Sequence, residues 1–149
     1  MNDQAGKPTG AENVEWNLGD LYAGVDDPAL ERDLDQADAL ADEFSAAYRG
    51  RVATLDAAGL CGLLEALEKI GDLAGRIGSF AYLAWAANTE DPQRGALLQR
   101  ATERESRLSQ KLVFFDLEWA NTSDDTAAAL LADPALARFH HYLEIARLY

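Results

Sequence analysis

The chain has 149 residues, 48% of them hydrophobic and 26% charged, enough for one globular domain with its own core and not for two. With 26 acidic side chains against 13 basic ones its formal net charge is −13, a field that repels phosphate backbones and anionic lipid, so nucleic acid and membrane surfaces make poor partners. Cys61 is the single cysteine; no internal disulfide is available, and a reducing, cytoplasmic setting is the expectation.

Residues 1–13, MNDQAGKPTGAEN, are polar, carry Gly and Pro, and lack the apolar stretch of a signal peptide; they read as a disordered leader. Residues 14–24 place Val14, Trp16, Leu18, Leu21 and Tyr22 without helical spacing and are broken by Gly19 and Gly24. That pattern predicts an extended strap across the outside of a bundle, anchored by Trp16 and Tyr22. Asp26-Asp27-Pro28 then supplies an acidic cap followed by Pro, the usual opening of a helix. Leu30, Leu34, Ala37, Ala41, Phe44 and Tyr48 recur four and three apart, which predicts an amphipathic first helix over 28–49 with Gly50 as its stop.

A second helix starts at Asp56 and carries Leu60, Leu63, Leu64, Leu67 and Ile70. It runs on through Gly71, Gly75 and Gly78, each costing roughly 1 kcal/mol relative to Ala in a helix interior, so one long helix is expected, straight or bent near the glycines. Gly71, Ala74, Gly78, Ala81 and Trp85 share a face, which offers close approach to a neighbouring helix as an alternative role for the small residues. Residues 80–87, FAYLAWAA, form the longest uncharged run and read as the buried end of this helix. Asp72 and Arg76 interrupt the surrounding stretch, so nothing approaches the ~20 apolar residues a membrane helix needs.

Asn88-Thr89 stops the pattern and Asp91-Pro92 restarts it, predicting two antiparallel helices joined by a short turn. The third long helix carries Leu97, Ala101, Leu108, Leu112, Phe115 and Trp119 on one side. Residues 121–124 end it and cap a short helix over 126–132, and Asp133-Pro134 opens a last helix with Leu136, Phe139, Tyr142, Leu143, Ala146 and Tyr149 pointing one way. The three Asp-Pro starts are unequally spaced and their surroundings are dissimilar, so they are not a repeat. The last helix is still amphipathic at Tyr149 with no stop signal; the expectation is a chain cut from something longer. The predicted fold is all-α, an antiparallel bundle of three long helices with a short and a terminal helix, preceded by the strap.

Recognisable catalytic chemistry is sparse. His140 and His141 are the only histidines; His140 and Glu144, one turn apart, make two of the three or four ligands a zinc site requires. There is no H-E-x-x-H, P-loop, G-x-G-x-x-G or G-x-S-x-G. Cys61 lies near a helix start, a position open to a reactive cysteine, but Leu60, Leu63 and Leu64 beside it favour a small packing residue. Phe80, Tyr82, Trp85, Phe114, Phe115 and Trp119 fall at helical spacings expected of a core. Two charge stripes carry more information: Glu31, Asp35, Asp38 and Asp42 on the first helix, and Arg100, Arg104, Arg107 and Lys111 on the third. They are solvated flanks, or they bridge two helices packed side by side, or the basic stripe lines a cleft and binds acidic groups of a substrate.

Three stretches carry a resemblance: residues 16–22, WNLGDLY; residues 78–82, GSFAY, leading into NTEDP at 88–92; and residues 132–139, ADPALARF. Together, and in this order, they resemble the N-terminal region of oligoendopeptidase F, in the thimet-oligopeptidase-like zinc metallopeptidases, over residues 14–149. The resemblance implies a helical lobe over a channel that admits short peptides. It also implies a zinc held by two histidines of H-E-x-x-H and a following glutamate, with the motif's own Glu activating the metal-bound water. None of those residues has a counterpart here, so no catalytic or metal residue is carried over and His140 and His141 take no such part. The expectation is a channel-capping domain (14–149) whose partner is its own catalytic domain. Alone it holds no catalytic zinc, cleaves nothing, and is prone to self-association through apolar surface around Phe139, Tyr142 and Tyr149. Arg100, Arg104, Arg107 and Lys111 are its candidate contacts to substrate carboxylates. The rival expectation is a self-standing acidic helical adaptor or dimerisation module that binds another helix in a groove.

Overall fold

A computed structural model describes residues 17–148; the leader at 1–13, the anchor Trp16 and the terminal Tyr149 lie outside the described residues. The fold is all-α, with no strand among them. Its helices are α1 (Pro28–Tyr48), α2 (Ala57–Ala87), α3 (Pro92–Leu112), α4 (Phe114–Asn121), α5 (Asp124–Leu131) and α6 (His140–Ile145), with short 3₁₀ segments at Val52–Thr54 and Pro134–Phe139.

The acidic starts cap as their chemistry requires. Asp27, Asp56, Asp91 and Asp133 accept from the backbone N–H groups of Ala29, Gly59, Gln93 and Ala135 at 2.8–2.9 Å, satisfying donors that the first turn leaves unpaired. Asp27 also accepts from the N–H of Ala23 at 2.9 Å, and the bonds from Ala23 and Ala29 hold its carboxyl below the usual carboxylate range. At the far end of α1, Gly50 turns with φ of 78°, a conformation that costs a side chain energy and glycine almost none. Its N–H donates to Glu118 Oε1 at 2.6 Å and that of Val52 to Oε2 at 3.2 Å, so one carboxylate from α4 closes the turn after α1.

Helices α1, α2 and α3 pack mutually, with α2 antiparallel to the other two. The predicted stripe of α1 is buried from Leu30 to Phe44, and Tyr48 is half-buried. One core gathers Tyr22, Leu30, Leu34, Ile77, Phe80, Ala81, Ala84 and Leu97, and the other gathers Phe44, Leu60, Leu63, Leu64, Ile70, Phe114, Phe115, Trp119, Leu136 and Leu143. Between them Ala37, Ala41 and Leu108 form a narrow waist, where two alanines let α1 and α3 close up.

Helix α2 is continuous over 31 residues, as expected. The glycines do not serve the close approach offered as their alternative role: a Cβ built at Gly71, Gly75 or Gly78 meets nothing within 4 Å. The small residues that are fully covered are Ala81 and Ala84, about one turn further round. Replacing Gly75 or Gly78 by Ala is therefore expected to raise stability by about 0.5–1 kcal/mol each, read as a higher urea midpoint at unchanged slope; a loss of stability would mean that α2 bends there.

Three expectations are corrected. The third helix does not run unbroken to Trp119 but restarts at Val113, between Leu112 and Phe114. Phe114 and Phe115 are both buried, and just past the break Phe114 packs on Phe44, ring centroids 5.5 Å apart. The last helix is not one α-helix from Pro134: it opens as 3₁₀ over Pro134–Phe139 and is α-helical only over His140–Ile145. Leu136 and Phe139, three apart, are both buried, which suits the eclipsed i, i+3 geometry of a 3₁₀ turn. The strap is not extended over 17–24. It coils through a turn in which the N–H groups of Leu21 and Tyr22 donate to Leu18 O at 2.9 and 3.3 Å. Tyr22 is nonetheless the anchor expected, edge-on to Phe80 at 5.2 Å and donating its hydroxyl to Asp33 Oδ2 at 2.6 Å. Burial, and then that carboxylate, push its pKa well above the ordinary tyrosine value.

Candidate functional site

The basic stripe meets the acidic one. Arg100 Nε lies 2.9 Å from Glu31, Arg104 lies 3.4 Å from Asp35 and also pairs with Asp38, and Lys111 Nζ lies 2.8 Å from Asp42 and 3.6 Å from Asp38. Glu31–Arg100, Asp35–Arg104 and Asp42–Lys111 share one sequence offset of 69 residues, so α1 and α3 run parallel and in register beside the alanine waist. The fourth member of that register, Asp38 with Arg107, does not form. Asp38 sits between Arg104 and Lys111 instead, and Arg107 stays exposed with no ion pair to a described residue. Neighbouring carboxylates stabilise the charged forms of Arg104 and Lys111 and raise both pKa values, against the lowering by desolvation. Three of the four candidate substrate contacts are thus engaged by carboxylates of their own chain, and Arg107 is the one that points to solvent uncommitted.

A cleft of about 840 Å³ opens where the coiled strap crosses the junction of α2 and α3, lined by Leu18, Tyr22, Asp26, Phe80, Asn88 and Arg94 among others. Arg94 is its fixed cation. The guanidinium donates to Ala84 O at 2.9 Å and reaches Asp91 at 3.3 Å, tying the last turn of α2 to the cap of α3. The sequence reading missed Arg94; its position three residues after an Asp cap is the signal that marks such a clamp. The cleft's polar walls and one paired cation can hold a small polar group.

Cys61 is half-buried, its Sγ 3.8 Å from Glu65, in line with a packing role. His140 Nδ1 approaches Glu144 at 3.4 Å, both substantially exposed, while His141 faces solvent. Among the described residues no group of three or more His, Cys, Asp or Glu side chains is placed to share a metal ion. No helix among them is long and apolar enough to cross a membrane.

The end of the chain is pinned by a residue that sequence inspection passed over. Arg147 donates to Trp119 O and Thr122 O at 2.8 and 2.9 Å and pairs with Asp124 at 2.7 Å, satisfying carbonyls at the end of α4. Of the apolar surface expected around Phe139, Tyr142 and Tyr149, Phe139 is buried, contrary to expectation, because it closes the core that holds Trp119 and Leu143, and Tyr142 is exposed; Ile145 and Leu148, not among the residues expected, are exposed too. Compared with known proteins, the chain matches no family model, no curated sequence and no solved structure.

Proposed function

We propose that this chain is the N-terminal helical lobe of a longer, cytoplasmic, oligoendopeptidase F-like zinc peptidase, in which it caps and gates the channel that admits short peptides. The observation that carries the reading is the meeting of its stretches: Tyr22 of the first packs edge-on to Phe80 of the second at 5.2 Å, and both line the cleft that ends at Asn88 and Asp91 of the same second stretch. The third stretch supplies Leu136 and Phe139 to the other core. Resemblance concentrated at mutual packing contacts is what a shared fold demands, since such residues are constrained jointly.

In this reading the zinc and the H-E-x-x-H motif belong to a catalytic domain outside these residues, and that domain is the lobe's partner. Arg107, outside the ion-pair ladder, is the member of the basic stripe that contacts a substrate carboxylate; Arg100, Arg104 and Lys111 hold α1 to α3. A second reading, an acidic adaptor that binds another helix, is favoured by the exposed Tyr142, Ile145 and Leu148.

The test is the native size of the protein in its own cell, probed with an antibody to this chain. The lobe reading expects a band several times heavier than 16.2 kDa and a chelator-sensitive activity on short peptides that the isolated chain lacks. A band at the size of this chain overturns it and leaves the adaptor reading.

A further inference from the structure

Helices α4 and α6 leave a mixed face uncovered. Helix α4 buries Phe114, Phe115 and Trp119 and turns Val113 and Leu117 outward, Leu117 being 60% exposed. At about 100° of rotation per residue, Asp116 and Ala120 fall between Phe115 and that outward pair. Tyr142 of α6 stacks on Phe115, centroids 6.3 Å and planes 7° apart, near enough to Asp116 for its charge to act on the hydroxyl, and Ile145, three residues on, is exposed as well. Asp116 is therefore flanked by Tyr142 on one side and by Val113 and Leu117 on the other. Its carboxyl is pushed up by desolvation alone, with no charged or hydrogen-bonding partner among the described residues, and its charge in turn helps raise the Tyr142 hydroxyl.

We infer that this face docks an apolar segment bearing a cation, Val113, Leu117 and Tyr142 receiving its apolar side chains while Asp116 pairs with a Lys or Arg among them. The occupant's chemistry follows from charge complementarity. Covering Asp116 with purely apolar surface would strand an unpaired carboxylate away from water, and an acidic partner would add repulsion to that cost. A second copy of this chain, with the same net charge of −13, would bring like fields and like carboxylates together. A basic, amphipathic segment alone meets both the apolar and the anionic parts of the face. This inference rests on the surface and is independent of the peptidase reading.

The test titrates the chain against a fluorescently labelled synthetic helix of Leu and Lys and against its Leu and Glu counterpart, read by anisotropy at near-physiological salt. The Lys peptide is expected to bind saturably, one per chain, and the Glu peptide not to bind. Asp116→Asn and Leu117→Ser are each expected to weaken binding by roughly fivefold or more. Asp125→Asn, which removes an exposed charge on α5, should leave it within about twofold. Both Asp116 and Leu117 are exposed, so the variants keep their helicity, which circular dichroism checks. Equal weakening by Asp116→Asn and Asp125→Asn, no effect of Leu117→Ser, or no binding of the Lys peptide overturns the inference; the first two results would assign the attraction to the general field of the chain.

Discussion

Trp119→Ala is expected to cost about 3–5 kcal/mol, the range for deleting a fully buried large aromatic. Trp119 is fully buried in the core that also holds Leu60, Leu63, Leu136 and Leu143, and its indole N–H donates to Leu143 O at 2.8 Å. Truncation removes the largest side chain of that core and leaves a buried carbonyl unpaired, so the cavity and hydrogen-bond losses add. Arg147 also packs over the indole at 5.5 Å while holding the end of α4. Loosening of residues 134–148 ahead of the three long helices is the expected course. Urea unfolding followed by hydrogen exchange measures both: protection should fall first around Leu143 and last around Leu34 and Ile77. A cost below about 1 kcal/mol would show that the terminal segment docks without Trp119.

The second large effect is expected at Arg104. Its guanidinium reaches both Asp35 and Asp38, with a side chain only 23% exposed. Arg104→Glu removes two ion pairs and sets a third carboxylate beside two others in a partly screened seam. Single exposed pairs contribute about 0–1 kcal/mol; loss plus repulsion here sums to about 2 kcal/mol, part of it recovered at high salt. Arg107→Glu, on an exposed residue outside the ladder, should change stability by less than about 0.5 kcal/mol. The pair also separates the roles given to the stripe in the proposed peptidase. If Arg104→Glu lowers the thermal midpoint while peptide binding by the full-length protein is unchanged, and Arg107→Glu does the reverse, Arg107 is the substrate contact. Equal stability of the two variants would mean that the ladder contributes nothing.

The ladder shows how far spacing alone can be carried. Charges four and three apart on two helices were legible as stripes, and bridging was one of the uses open to them. Which use holds depends on the relative register of α1 and α3. That register is set by Ala37, Ala41 and Leu108 packing across the waist, and α2 lies between the two helices in sequence. The same distinction explains the breaks. A helix from Pro92 to Trp119 satisfies every local rule, because Val113, Phe114 and Phe115 carry no stop signal. The restart at Val113 falls beside Phe114, which packs on Phe44 and Arg49 more than sixty residues earlier.

Local chemistry therefore determined the helical class, the Asp caps, the buried stripes of α1 and α2, and Tyr22 as an anchor, since each depends on contacts within one or two turns or on the burial of large apolar side chains. Tertiary structure decided where helices end, which charges pair, that Phe139 is covered while Tyr142 is not, and that Asp116 stands without a partner among the described residues. Those outcomes turn on side chains meeting across long sequence separations, where a shift of about 100° around one helix axis is enough to exchange core for surface.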